Sequence, residues 1–289
     1  MSFVELANLL SQLAGLVFVV SSMLALGLNL SFAEILGSLK DARRVVKALV
    51  GNFVLVPLLA FLIARLLPLE PSLQIGLVVL SSAAGAPFLP RLVQSARGDV
   101  AWGVGMMALL MVATIGYMPV VLPWLLPGVA VNPWDIAQSL IVLMLIPLAT
   151  GLIARVQWPD SAVAWQASMN QTSSVAMILL LATGLGLNLK TILSLIGSGG
   201  ILALLLFILG CLGIGLLLGG QDPAQRKVMA LGSAQRNVAA AIVVTAQNFS
   251  DSNTLAFVLT AAIVMLLVLL PVSRWLGTSS RALNAQPVP

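Results

Sequence analysis

The 289-residue chain has no histidine, one cysteine and one tyrosine, and only 8% of its residues are charged. Without histidine there is no Ser-His or Cys-His pair to activate a nucleophile, and no imidazole to hold a metal. Cys211 stands alone, so an internal disulfide and a cysteine-rich metal site are both excluded. The scarcity of charge excludes more. Soluble domains carry roughly 25% charged residues, whereas this chain is 60% apolar with a mean hydropathy of +1.09. Such a chain could not cover itself in water, which rules out an ordinary cytosolic enzyme, a nucleic-acid binder and a disordered protein. The net charge of +5 does not point to DNA, because the cations mark membrane topology instead. The first ten residues carry Glu5 and no Lys or Arg, so no cleaved signal peptide is expected and the first span is expected to stay.

What the chain does have is long apolar runs. A helix crossing ~30 Å of hydrocarbon needs about 20 apolar residues. Nine runs qualify: 12–30, 45–66, 72–97, 100–126, 135–155, 165–188, 197–219, 225–248 and 253–276. The polar tail 278–289 is expected to be flexible. Assigning loops alternately to two sides gathers Lys40, Arg43, Arg44, Lys47, Arg91, Arg97, Arg155, Arg226, Lys227, Arg274 and Arg281 on one side. Only Arg65 and Lys190 fall on the other. The cation-rich side reads as cytoplasmic, which puts the N-terminus outside and the C-terminus inside, as an odd span number requires. The expected location is the inner (plasma) membrane.

The chain also repeats itself. Gly27-Leu28-Asn29-Leu30 closes the first span and is followed by Ile35-Leu36-Gly37-Ser38; Gly186-Leu187-Asn188-Leu189 closes the sixth and is followed by Ile192-Leu193-Ser194. Leu80-Ser81-Ser82-Ala83 in the third span matches Leu231-Gly232-Ser233-Ala234 in the eighth, and Asp99 matches Asp251. Each pair of spans is five apart, and an odd displacement reverses direction across the bilayer. The reading is therefore an inverted-topology repeat, with residues 1–134 and 135–277 as its halves. In transporters built this way the site lies near the midplane, at interrupted helices.

The third span, 72–97, carries its interruption openly, since Gly85, Pro87 and Pro90 follow Ser81 and Ser82 in mid-membrane. Backbone freed there must face protein or a water-filled cavity. Its counterpart in 225–248 is Gly232-Ser233-Ala234-Gln235-Arg236-Asn237, a dense polar cluster. Arg236 is the one ionisable residue deep in a span, where a charge costs roughly 2.5–3.5 kcal/mol on insertion scales. No Asp or Glu lies at that depth, so its partner is either a bound anion or helix C-terminal carbonyls. Asn52, beside Gly51, could reach the same level. Two roles stand open for Arg236: an internal cation tying carbonyls together, or a direct contact to an anion.

Ala96-Arg97-Gly98-Asp99 after a proline-broken helix, the Leu-Gly-Leu-Asn-Leu segment of the first span and Gln235-Arg236-Asn237 resemble the bile acid:sodium symporter superfamily. The similarity runs from about residue 14 to 276. It implies an all-α membrane fold of two inverted five-helix repeats, split into panel and core domains, with two broken helices crossing in the core. Nine spans then mean that the family's first helix has no counterpart. Carrying over the family's sodium ligands, the Ser-Asn pair falls on Leu89 and Pro90, the next hydroxyls on Gly103 and Met107, the Glu on Gly232 and the following Gln on Arg236. Only Asn52 and Asn237 keep comparable chemistry. A lost carboxylate and a gained guanidinium argue against those sodium sites.

The expected function is secondary transport of a small organic anion, a carboxylate or sulfonate including amphipathic ones, by alternating access. Arg236 acts as a built-in cation, with Asn237, Gln235, Ser233, Ser81, Ser82, Gly85, Pro87, Pro90 and Asn52 around it. No cofactor, metal, nucleic acid or enzymatic activity is expected; the lipid bilayer is the other partner, and the oligomeric state stays open. A sodium-coupled symporter with rearranged ligands and a transport-incompetent sensor remain as alternatives. A channel is disfavoured because spans 100–126, 165–188, 197–219 and 253–276 lack a continuous polar stripe. Trp102, Trp124, Trp134 and Trp158, near span ends, read as interfacial anchors, and the methionines as packing fillers.

Overall fold

Pro71, Pro133, Pro159 and Pro223 each open a helix, at the position where a missing N–H costs nothing and a fixed φ suits the first turn. Asp41, Asp99, Asn132, Asp222 and Asn237 each stand just before a helix and accept from the backbone N–H two or three residues on. These signals, with the apolar runs between them, produce a chain whose regular elements are all helical among the described residues. The computed structural model describes residues 3–31, 37, 40–126, 132–187, 197–249 and 252–284. In order the helices are α1 (Phe3–Asn29), α2 (Ala42–Leu66), α3 (Pro71–Ser82), α4 (Leu89–Ser95), α5 (Val100–Leu125) and α6 (Pro133–Gln157). They continue with α7 (Pro159–Leu187), α8 (Gly200–Leu218), α9 (Pro223–Ala234), α10 (Val238–Asn248) and α11 (Ser252–Asn284).

Seven helical stretches among the described residues are long and apolar enough to cross a membrane: Leu9–Asn29, Ala42–Leu66, Val100–Leu125, Pro133–Gln157, Gly200–Leu218, Pro223–Asn248 and Asn253–Thr278. The two further expected spans behave differently. Residues 72–97 are divided between α3 and α4, and α3 is apolar but has only 12 residues. The other, 165–188, lies in α7, whose first half is polar: Ser168, Asn170, Gln171, Thr172 and Ser174 are exposed on it. These residues are confined to the first half; beyond them Val175, Ile178 and Leu179 are exposed. Three of those hydroxyls donate to carbonyls four residues back on their own helix (Ser168, Thr172 and Ser174), so each is satisfied without a neighbour.

α9 and α10 form the centre, and the apolar stretch across them is wholly buried. α8 packs along α9, α5 flanks it, and α11 lies against α3 and α10. On the opposite flank α1 packs along α7 and α6. A Cβ on Gly27 would collide with the α6 backbone at Leu148 and Gly151, and one on Gly151 with α1 at Leu24 and Gly27. The two glycines thus allow a backbone-to-backbone crossing.

Contacts across chain ends fix which helix termini share an end of the bundle. At one end α4 closes with Gly98 N donating to Val93 O at 2.9 Å and Arg97 N to Gln94 O at 3.1 Å, the paired bonds of a Schellman cap. Arg97 takes the left-handed position at φ 54. Lys227 Nζ of α9 donates to Ala96 O at 2.9 Å, a cation on a helix C-terminus where the dipole favours it. At the other end Thr254 Oγ1 of α11 donates to Ser72 O of α3 at 3.3 Å.

Two expectations need correction. Trp102 is 2% exposed and is interior, because α5 packs against the start of α2 and against α4 and α9; Trp124, Trp134 and Trp158 are exposed. α11 continues to Asn284, past the expected span end at 276 and into the expected flexible tail 278–289, since no proline intervenes before Pro287. Of the repeat, Ile35, Leu36, Ser38, Asn188, Leu189, residues 192–194 and Asp251 lie outside the described residues, as does Lys190, one of the two outer-side cations.

Candidate functional site

α3 and α9 each run 12 residues and then stop. After α3 the chain is irregular from Ala83 to Phe88, with Gly85 at φ 77. Only glycine takes that conformation at no steric cost. A Cβ there would also strike α5, at the Met107 carbonyl and the Met111 backbone. After α9 the irregular residues are Gln235, Arg236 and Asn237. The two breaks meet. Asn237 N donates to Ala83 O at 2.9 Å, and Asn237 Nδ2 donates to Gly85 O at 3.1 Å. Asn237 Oδ1 accepts from Ala240 N at 3.1 Å, capping α10.

Arg236 fills the meeting point and is 0% exposed. Nη2 donates to Ser81 O at 2.6 Å and Nε to Leu80 O at 3.3 Å, both at the end of α3. Nη1 donates to Ser233 O at 3.2 Å, at the end of α9, and to Asn52 Oδ1 at 2.7 Å. Four of the five guanidinium N–H donors are therefore committed to protein oxygens. The C-terminal ends of two helices converge on it, each carrying about half a negative charge. Their sum matches the guanidinium, so no carboxylate is needed. Among the described residues the one ion pair is the surface contact Arg44–Asp41.

Asn52 reaches the guanidinium through a local helix defect. α2 carries a π turn over Gly51–Leu55, closed by Val56 N on Gly51 O. Pro57 follows and has no N–H, which leaves the Phe53 carbonyl, four residues back, without its helical donor. Tyr117 Oη supplies it at 2.7 Å. Asn52 Nδ2 donates to Ala48 O at 3.0 Å, which presents Oδ1 to Arg236.

The expected site residues thus separate into two groups. Arg236, Asn237, Asn52, Gly85, and the Ser81 and Ser233 carbonyls form one network. The Ser81 and Ser82 hydroxyls turn back onto Val78 O at 2.7 and 2.9 Å. Pro87 lies in the turn and Pro90 in the first turn of α4, neither of them bonded to Arg236. Gln235 is 6% exposed and its Oε1 has no donor. Sequence reasoning missed Thr114, whose Oγ1 accepts from Ala84 N at 2.9 Å and donates to Ala84 O at 3.1 Å, pinning the break to α5. It is a single hydroxyl in an apolar run, and the sequence carried no further signal for it. The methionines at the crossover, Met106, Met107 and Met111, are fully buried.

A family model described as the sodium bile acid symporter family matches residues 16–198, more than half of the chain. The chain belongs to the sodium bile acid symporter family. The family and its curated relatives are transporters by name, not enzymes. The rat (Rattus norvegicus) "Sodium-dependent organic anion transporter" is 29% identical over 119 residues, 39% of this chain and 32% of the relative. The rabbit (Oryctolagus cuniculus) "Ileal sodium/bile acid cotransporter" is 23% identical over 164 residues, 55% of this chain and 46% of the relative. An Arabidopsis thaliana protein, "Probable sodium/metabolite cotransporter BASS3, chloroplastic", is 24% identical over 186 residues, 64% of this chain and 43% of the relative. The chain spans less than half the length of each of these relatives.

Within this symporter-family fold, four of the positions matched to sodium ligands, Leu89, Gly103, Met107 and Gly232, are apolar or lined with hydrocarbon. A Cβ on Gly232 would lie 2.8 Å from Met106 Cε and 3.2 Å from Leu89 Cδ2. Leu89 and Met107 are themselves buried, and a Cβ on Gly103 would touch Val93 at 3.3 Å. The space beside Gly232 is occupied by a methionine methyl group.

Proposed function

We propose that the chain is a secondary transporter of a small organic anion, working by alternating access, in which Arg236 replaces a bound alkali cation at the crossing of the two broken helices. The observation that carries this reading is the set of four guanidinium bonds to Leu80 O, Ser81 O, Ser233 O and Asn52 Oδ1. Helix C-terminal carbonyls at a crossover call for a cation. Here the cation is covalent and permanent. With four donors committed, Arg236 holds the crossover together and contributes little to binding a solute directly. Gln235 Oε1, which has no donor, can accept from a hydroxyl or N–H on the body of a solute, not from its anionic head. The nine-span topology, the inverted repeat with halves 1–134 and 135–277, the outside N-terminus and cytoplasmic C-terminus, and residence in the inner (plasma) membrane belong to the same reading. They are supported by the segregation of cations and the matched breaks.

The substrate class follows from the names of the relatives, which are organic-anion and bile-acid carriers. The apolar body of such an acid fits a fold whose crossover is surrounded by buried apolar side chains such as Met106, Met107 and Leu89. The test is a thermal-shift screen of the detergent-solubilised protein against bile-acid conjugates and short carboxylates, followed by proteoliposome counterflow with whichever acid stabilises it. Counterflow undiminished when choline replaces sodium supports the proposal. A strict sodium requirement overturns it.

A second reading has one observation in its favour. The buried, unpaired Oε1 of Gln235 is an oxygen that a sodium ion could use, and the relatives are named as sodium-dependent. Under this reading the protein is a sodium symporter with rearranged ligands, and sodium alone would raise its thermal stability.

A further inference from the structure

A cavity of about 430 Å³ lies at the end of the bundle where the cations gather, and Arg236 is not among the residues that line it. Its walls are the first two turns of α2, the first turn of α5, the α8–α9 loop and the start of α9. Arg43, Arg44 and Lys47 line it, against a single carboxylate, Asp41. Asp41 is already engaged: it caps α2 through Arg43 N and Arg44 N and pairs with Arg44 Nε at 2.7 Å. Among the described residues Arg43 and Lys47, one helical turn apart on α2, have no carboxylate partner.

Membrane topology accounts for cations on this side of the bilayer. It does not account for their place in the fold. The N-terminal turns of a helix carry the positive end of its dipole, so cations there repel it and anions are favoured. Arg43, Arg44 and Lys47 sit in the first two turns of α2. The first turns of α5 and α9 open onto the same cavity, through Trp102 and Gln225. Arg43 and Lys47, without a carboxylate partner among the described residues, thus face one space with Trp102, while the three helix N-termini around it are capped by Asp41, Asp99 and Asp222. Trp102 lines it, is 2% exposed, and its indole N–H has no acceptor. Gly220, at φ 79, turns the loop past the cavity, and a Cβ on it would meet nothing within 4 Å, so no side chain there fills the space.

We propose that this cavity binds a phosphate-bearing anion. A doubly charged group answers the two cations that have no carboxylate partner among the described residues, and its several oxygens can take charge-assisted donors from Arg43 and Lys47 and the indole N–H of Trp102. Such a group is offered either by the headgroup of an anionic lipid or by soluble phosphate. The site is separate from the crossover and does not depend on the transport reading.

The test uses the full chain in nanodiscs of phosphatidylcholine, titrated with inorganic phosphate while thermal unfolding is followed. Wild type is expected to show a saturable rise in Tm. Arg43→Gln/Lys47→Gln should weaken the midpoint about tenfold or more, as expected for losing charge-assisted bonds. Trp102→Phe, which keeps the ring and removes the N–H, should weaken it less. Arg274→Gln, an exposed cation outside the cavity, should leave it unchanged. Replacing part of the phosphatidylcholine with phosphatidylglycerol separates the sources. Loss of the phosphate response there assigns the site to a lipid headgroup; an unchanged response assigns it to soluble phosphate. Equal responses in wild type and the double variant, an equal loss in Arg274→Gln, or the same rise with potassium chloride at matched ionic strength would each overturn the proposal.

Discussion

Arg236 Nη1 and Asn52 Oδ1 meet at 2.7 Å although 184 positions separate them in the chain. That contact joins the π turn of α2 to the break between α9 and α10. Through the other guanidinium bonds it joins both to the end of α3. Three helices thereby share one side chain, and the consequences can be measured without knowing the solute.

Replacing Arg236 with Gln strips the Leu80, Ser81 and Ser233 carbonyls of their donor inside the protein. The expected loss is about 3 kcal/mol, the range for breaking a buried charged contact. Arg236→Lys keeps the charge but not the fork, and one ammonium cannot span oxygens on three helices, so it should recover only part of the loss. Thermal unfolding in detergent, with no organic acid added, reads both. If Arg236 served only to contact solute, neither variant would shift Tm.

Gly232 and Arg236 together offer a gain-of-function test. In Gly232→Glu/Arg236→Gln a carboxylate enters as the guanidinium leaves, and Met106, a flexible side chain, must move aside from the Gly232 Cβ position. Sodium should stabilise this double variant and not the wild type. At sodium concentrations a hundredfold above the dissociation constant the effect is about 2.7 kcal/mol. Stabilisation of the wild type by sodium but not potassium would count against the internal cation.

Thr114→Val leaves both backbone groups of Ala84 unpaired in the interior. A cost of about 2–4 kcal/mol follows from two orphaned groups. Thr114→Ser keeps the hydroxyl and should lose less than about 1.5 kcal/mol, the cost of one missing methylene-sized group. The comparison of the two unfolding midpoints isolates the hydrogen bonds from the packing.

Glycine substitutions should divide by backbone conformation and space. Gly85→Ala combines a left-handed φ with a collision against the α5 backbone, and strain of about 1–3 kcal/mol is its lower bound. Failure to recover folded protein by size-exclusion chromatography is the expected result. Gly213→Ala, inside α8 with nothing within 4 Å of the new Cβ, should gain up to about 1 kcal/mol from helix propensity.

Much of the frame was legible in the chain. Proline at helix starts and Asp or Asn just before them marked where helices begin, because both act locally, within one turn. Gly85 and the Gln235-Arg236-Asn237 cluster marked the breaks, because a left-handed glycine and a buried guanidinium are intolerable in a plain membrane helix. Trp102 was misplaced for a related reason: a tryptophan near a helix end looks interfacial until the neighbours that cover it are known. The exposed hydroxyls of α7 bond carbonyls of their own helix and so face outward at small cost.

The partner of Arg236 was beyond reach of the sequence. Absence of a deep carboxylate narrowed the choice to a bound anion or helix-end carbonyls, and composition could go no further. Which carbonyls, and whether any donor would be left over, depends on how α2, α3 and α9 pack. Those three helices are brought together from positions 184 residues apart by burial of apolar surface, which is non-directional. Local sequence thus determined where the chain bends, starts and stops, whereas the tertiary fold decided that Leu80, Ser81, Ser233 and Asn52 would enclose the Arg236 guanidinium.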